Sequence, residues 1–162
     1  MKKTLLMAAC ALLLASCSAT LPEKPPTTVT NPQMIELYYQ ARGGDIASLY
    51  KIKSYYEQGI NGFPVSESKA MDCLENAAIA GDRNAQRLVG IAYMDGKGRW
   101  VSDSKARKYL QMAAMQGDSV AEKYLGHLEE RLNMENEARA REAMREAERK
   151  AFAREMKRQF GY

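Results

Sequence analysis

The groups able to do covalent chemistry are few. The chain has three cysteines, Cys10, Cys17 and Cys73, and one histidine, His127. A single imidazole excludes sites that need two, among them two-histidine zinc sites. His127 has no partner motif and reads as a surface or packing residue. The stretch from Gly90 to Lys97 has a superficial likeness to a phosphate loop. Five residues separate its glycines instead of four, Gly98 stands where Ser or Thr would hold Mg²⁺, and a helix precedes it. There is no CxxC, no HExxH and no serine elbow between glycines. Carboxylates are plentiful but fall on helix faces, where solvation is the default. The chain therefore reads as a non-enzyme, with no catalytic residue, no metal site and no cofactor.

The thiols differ by position. Met1-Lys2-Lys3 is followed by an apolar run from Leu5 to Ala15 and then Ser16-Cys17. A charged start, a short apolar stretch and a small-residue end read as a secretory signal. About 20 apolar residues are needed to span a bilayer, so this run is too short to stay as an anchor. Leu14-Ala15-Ser16-Cys17 resembles the lipobox of bacterial lipoproteins. The resemblance implies lipid transfer to the Cys17 thiol, cleavage before it, and acylation of the new amino group. Two or more acyl chains hold a protein on a membrane where one does not. In a Gram-negative host, Ser18 resembles the outer-membrane sorting class, which places the protein in the cell envelope, facing the periplasm.

Removing residues 1–16 takes two lysines, leaving 22 basic against 20 acidic residues and lowering the net charge from +4 to +2. Export and the absence of a basic stripe argue against nucleic acid as a partner. Cys10 leaves with the signal and Cys17 carries lipid, so Cys73 has no partner for an internal disulfide. It lies in an apolar helical run, Met71-Asp72-Cys73-Leu74, and is expected to be buried. Residues 17–31 contain Pro22, Pro25 and Pro26 among Ser and Thr, and read as a flexible tether. At about 3 Å per residue, such a tether would reach about 40 Å.

The elements that follow repeat. Gly44-Asp45 recurs as Gly81-Asp82 and Gly117-Asp118. Ser66-Glu67-Ser68-Lys69-Ala70 recurs as Ser102-Asp103-Ser104-Lys105-Ala106, and Ala77-Ala78 as Ala113-Ala114. A period of this length signals stacked helical pairs, each too small to bury its own apolar face. In the second unit the pattern predicts helix A over 83–94, a stop at Gly96-Lys97-Gly98, a Ser102 cap whose hydroxyl meets a backbone N–H, and helix B to residue 115. Ala85, Gly90 and Ala113 are small where helices must approach closely.

These residues resemble the Sel1-like repeat family, a tetratricopeptide-related solenoid. The second unit carries Ala85, Val89-Gly90, Tyr93, Gly96-Lys97-Gly98, Lys105-Ala106, Tyr109-Leu110, Ala113-Ala114 and Gly117. The first carries Ile52, Tyr56, Gly59, Gly62, Lys69-Ala70, Cys73-Leu74, Ala77-Ala78 and Gly81. The chain departs from the pattern at Lys53, at Ser66 and Ser102 in the Asp capping place, and at Arg99-Trp100 in place of Val-Pro. The expected fold is all-α: a short solenoid of about two and a half helical pairs over 32–128, with 34–42 as a degenerate first helix. A charged long helix covers 129–162. Glu135–Arg139, Glu137–Arg141 and Glu146–Lys150 support it as i,i+4 pairs. It reads as a solvated single helix or as a coiled-coil arm built on an Ala, Met and Phe stripe.

The resemblance implies scaffolding between proteins, and the partner expected is another envelope or secreted protein. Tyr50, Arg87, Ile91 and Lys123 fall at equivalent or near positions on the concave helix-A surface and are the candidate contacts. Trp100 either packs into the inter-helix turn or stands exposed as a binding anchor. The alternative role is an immunity protein that neutralises a secreted toxin. Hydrolysis of cell-wall material ranks last, because the repeated cysteine pairs of the relatives claimed to do it are missing here.

Overall fold

Asp and Gly punctuate the chain at a regular interval, and the helices start and stop on them. The computed structural model describes residues 21–161, so the signal and Cys17 lie outside the described residues. Six helices and no strand occur among them: α1 (Pro32–Arg42), α2 (Ile46–Gln58), α3 (Glu67–Ile79), α4 (Arg83–Asp95), α5 (Asp103–Met115) and α6 (Ser119–Phe160). The all-α expectation holds, with α1 as the half pair, α2–α3 and α4–α5 as full pairs, and the start of α6 as the third helix A.

Capping explains the boundaries. The Asp45 carboxylate accepts from the Ser48 N–H at 2.8 Å, Asp82 from Ala85 at 2.6 Å, and Asp118 from Ala121 at 3.0 Å. Each satisfies a donor that the first helical turn leaves unpaired. Ser66 caps α3 in the same way, accepting from the Lys69 N–H at 3.3 Å. Ser102 holds the cap position of α5 but makes no side-chain cap bond; its hydroxyl instead lies 3.3 Å from that of Ser104. At the other ends, α2 and α4 stop at Gly59 and Gly96, whose φ of 69° and 75° a side chain would strain.

The chain divides into two units, residues 21–124 and residues 125–161. In the first, α1 to α5 pack in sequence around Tyr38, Leu49, Ile52, Tyr56, Phe63, Cys73, Val89 and Leu110, all of them buried. Gly90 permits the closest approach of α4 to α5. A methyl there would lie 2.6 Å from Leu110 Cγ and 3.1 Å from its backbone nitrogen. In the second unit the helix carries the ion pairs Glu135–Arg139, Glu137–Arg141 and Glu146–Lys150 at 3.7, 3.2 and 2.5 Å. Their exposure leaves each with little stabilising effect.

The segment read as a tether is shorter than expected. Leu21 and Val29 are 3% and 4% exposed. The Thr28 hydroxyl donates to the Gly62 carbonyl at 2.5 Å, and the Tyr38 hydroxyl donates to the Pro22 carbonyl at 2.9 Å. Pro22, Pro25 and Pro26 deny this stretch a helix, as expected, but they do not stop its two large aliphatic side chains from being buried. Among the described residues no helical layer precedes α1, and residues 21–31 lie against Tyr38 and the Gly62 loop. Proline content marks the lack of regular structure; it does not mark the lack of packing.

Candidate protein-binding surface

The recurring Asp caps do more than start helices. The Tyr50 hydroxyl on α2 donates to Asp82 at 2.7 Å, and Arg87 Nε on α4 donates to Asp118 at 3.0 Å. Tyr50 and Arg87 stand at the same register one layer apart, so each helix A reaches forward to the cap of the next. Burial, reinforced by the Asp82 hydrogen bond, raises the Tyr50 phenol well above its usual range. Burial alone would raise the Asp118 carboxyl as well. The Ala121 N–H and the Arg87 charge outweigh it and hold that carboxyl below its usual range. Two of the residues expected to meet a partner, Tyr50 and Arg87, are therefore engaged in holding the stack. Lys123 continues the register and is exposed on α6. No further Asp-capped turn follows it, because α6 runs on to Phe160.

Ile91 does face a groove. Between α2, α3 and α4 lies a depression of about 280 Å³, floored by Met71, Leu74, Leu88 and Ile91 and rimmed by Lys53 and Lys97. Leu88 is 38% exposed, more than a side chain serving only the core would be. The Lys53–Glu57 pair, at 2.7 Å, closes one side. The sequence pattern assigned Leu88 no role, since the repeat alignment marks its neighbours Val89 and Gly90 instead.

The loop between α4 and α5 holds the least expected cluster. Arg99 Nε donates to Glu75 Oε1 at 2.9 Å, and Nη2 to Asp72 Oδ1 at 2.5 Å. Nη1 meets the Ser68 carbonyl, the Ser68 hydroxyl and the Gly98 carbonyl at 3.0–3.3 Å. Tyr93 donates to the same Glu75 oxygen at 2.6 Å, and Lys105 donates to Tyr93 at 3.1 Å. Burial alone would lower the Arg99 pKa, but its bonds to Glu75 and Asp72 outweigh that and raise it. One layer earlier the equivalent positions are Phe63, Tyr38 and Tyr56, an aromatic cluster with ring centroids 6.4 Å (Tyr38–Phe63) and 5.1 Å (Tyr56–Phe63) apart. An ionic cluster has replaced an aromatic one at the same place in the stack. The replaced residues are 36 or 37 positions apart, so the repeat offset was the signal that could have found it.

Trp100, next to this anchor, is 93% exposed and lines an open depression of about 510 Å³ with Glu67, Ser68, Gly96, Gly98 and Arg99. Packing into the turn, one of its two expected fates, is thus excluded. The reason is that Arg99, and not Trp100, takes the inward position that Phe63 holds in the first layer. Cys73 is fully buried as expected, and burial pushes its thiol up to about 12. His127 is exposed, 3.9 Å from Glu130. Among the described residues no group of His, Cys, Asp and Glu is placed to hold a metal, and no helix is long and apolar enough to cross a membrane.

Residues 54–82 and 83–118 match the Sel1 repeat. The Sel1-like reading of the sequence is supported over these two units; the second coincides with the layer from Asp82 to Asp118, and the first covers the preceding layer from residue 54, within α2, to Asp82. A Sel1 repeat protein from Oxalobacter formigenes, known from its crystal structure, is similar in fold with a TM-score of 0.51. It is 26% identical over 60% of this chain and 72% of its own. No curated protein matches the chain.

Proposed function

We propose that this protein is a lipid-anchored envelope adaptor that grips a second protein in the groove between α2, α3 and α4. Sel1 repeats generally mediate protein–protein interaction, which supports a protein as the ligand. The groove supports the location: its apolar floor is Met71, Leu74, Leu88 and Ile91, whereas the helix-A residues Tyr50 and Arg87 are occupied with stacking. An amphipathic segment with a few aliphatic anchors fits such a groove, its own charges meeting Lys53, Glu57, Glu67 and Lys97. The anchor is Cys17, on the lipobox-like residues 14–17. Membrane attachment keeps the groove in the envelope, and the partner is an envelope or secreted protein. Lys123 extends the helix-A row of Tyr50 and Arg87 and lies outside the groove lining.

The test is capture from envelope extracts by the exported full chain, compared with its Leu88→Asp and Ile91→Asp variants. The expected result is a partner held by the parent and lost by both variants, with circular dichroism unchanged. Equal capture by all three would refute the groove. A captured protein that is a secreted toxin would make the chain its inhibitor instead of an adaptor.

A further inference from the structure

The edge formed by the α2–α3 and α4–α5 loops has three properties that belong together. First, the two loops are neighbours: Gly98 lies so close to α3 that a methyl on it would be 3.1 Å from the Glu67 carbonyl, and Arg99 bonds Ser68 in the first turn of the same helix. Second, they carry the most exposed apolar side chains of this unit's turns. Val65 is 72% exposed, Trp100 93% and Val101 58%. Third, residues 21–31 are fixed on this edge, through Thr28 on Gly62 and through Pro22 on Tyr38, which stacks against Phe63.

The third property limits where a membrane can be. From Cys17 to the buried Leu21 are four residue steps, which span at most about 14 Å even fully extended. A lipid on Cys17 therefore holds this unit close to the bilayer. It cannot suspend the unit tens of ångströms away, and the edge that carries residues 21–31 is the one drawn in. Trp suits a membrane–water boundary, since its ring is apolar and its indole N–H can stay hydrated. Arg99 fixes the loop through Glu75, Asp72 and Ser68, so the indole is presented on a stiff support.

We infer that the α2–α3 and α4–α5 loop edge rests on the lipid surface and that Trp100 inserts into its headgroup region. This rests on Cys17 being the lipid anchor. It assigns Trp100 to lipid instead of to the protein partner, and it leaves the groove of α2, α3 and α4 as the surface for that partner.

Trp100 is the single Trp of the chain and so reports on itself. The full chain is expressed with its own signal, its Cys17 acylation is read by mass spectrometry, and the protein is reconstituted into phosphatidylcholine–phosphatidylglycerol vesicles. The comparison is a Trp100→Phe, Met115→Trp variant. Met115 is 88% exposed at the far end of α5, about 18 Å along the helix from the α4–α5 loop. The expected result is a blue shift of Trp100 emission, quenching by brominated lipid and a several-fold loss of quenching by aqueous iodide. The relocated Trp should remain quenchable by iodide and untouched by brominated lipid. Acylated protein in which Trp100 stays open to iodide overturns the inference alone and returns Trp100 to the protein-binding surface. Acylated protein in which the relocated Trp is the dry one also overturns it. An unacylated Cys17 overturns the anchor and this inference with it.

Discussion

Replacing Arg99 with Ala removes the guanidinium that Glu75 and Asp72 share; Asp72 keeps its pair with Lys69 at 3.2 Å, while Glu75 is left with the Tyr93 hydroxyl. Glu75 is 5% exposed, and the Asp72 side chain 15%. Removing one partner of a buried ion pair costs about 3–5 kcal/mol, because the other charge stays desolvated. The residual exposure of Asp72 and Arg99 puts this case at the low end, about 3 kcal/mol. In a unit of this size that is a fall in Tm of roughly 12–20 °C. Urea titration followed by far-ultraviolet circular dichroism measures it directly. The first layer supplies the complementary experiment. Glu75→Tyr with Arg99→Phe recreates the pairing that Tyr38 and Phe63 make one repeat earlier. Well-packed apolar residues in place of a buried ion pair are commonly neutral or stabilising. The double variant should therefore be more stable than either single one, with a coupling of about 2 kcal/mol. A cost below about 0.5 kcal/mol for Arg99→Ala would show a solvent-screened surface pair. A purely additive double variant would show that the two layers are not built alike, and either result refutes the equivalence.

Gly90→Ala should cost about 1–3 kcal/mol, since the new methyl meets the buried Leu110. Gly126→Ala has nothing within 4 Å and should gain up to about 1 kcal/mol from helix propensity; urea midpoints compare the two. Cys73, with its thiol pushed up to about 12 and no exposure, should resist iodoacetamide at pH 8, where about one thiol in ten thousand is ionised, and react fully in denaturant. Rapid labelling of the folded chain would contradict its burial. Asp118 titrates below its unfolded value, so the stability it adds is complete above the usual carboxylate range, about 4, and is lost as pH falls through its folded value. Asp118→Asn should be less stable at neutral pH and lose less than the parent between pH 5 and pH 2; parallel acid melts would show equal losses if Arg87 and the α6 N–H groups do not hold the carboxylate.

What could be read from the sequence was what is local. The recurring Gly44-Asp45, Gly81-Asp82 and Gly117-Asp118 marked where each layer restarts, and the structure adds that their carboxylates cap the helices, a contact two or three residues long that needs no tertiary information. Gly90 was legible for a related reason: a residue without a side chain inside a helical pattern marks a close approach. Direction was not legible. Tyr50 and Arg87 sit in the register the sequence assigned them, yet both bond to the next layer's cap, and no single-helix pattern states which way a long side chain turns. Leu21 and Val29 were hidden by composition. Prolines and threonines signal an irregular backbone, while two buried aliphatic side chains are enough to hold that backbone against the first helical layer.

The second layer shows why the loop could depart from the family pattern without loosening. Phe63 fills its position by burial, and Pro64 after it is exposed. Arg99 fills the equivalent position through directed bonds to Glu75, Asp72 and Ser68. A guanidinium held at fixed points constrains the backbone on both sides of it, so the following residue points outward on a braced loop. A large side chain presented in that way loses little further freedom when something covers it, and a binding surface of few residues gains most from such preorganisation. Loss of Arg99 should therefore weaken whatever Trp100 does even in a variant whose helices remain intact, as Glu75→Tyr with Arg99→Phe is expected to be. The quenching experiment repeated on that double variant separates the two contributions: retained Trp100 burial would mean that exposure alone suffices, and its loss would mean that the brace is part of the surface.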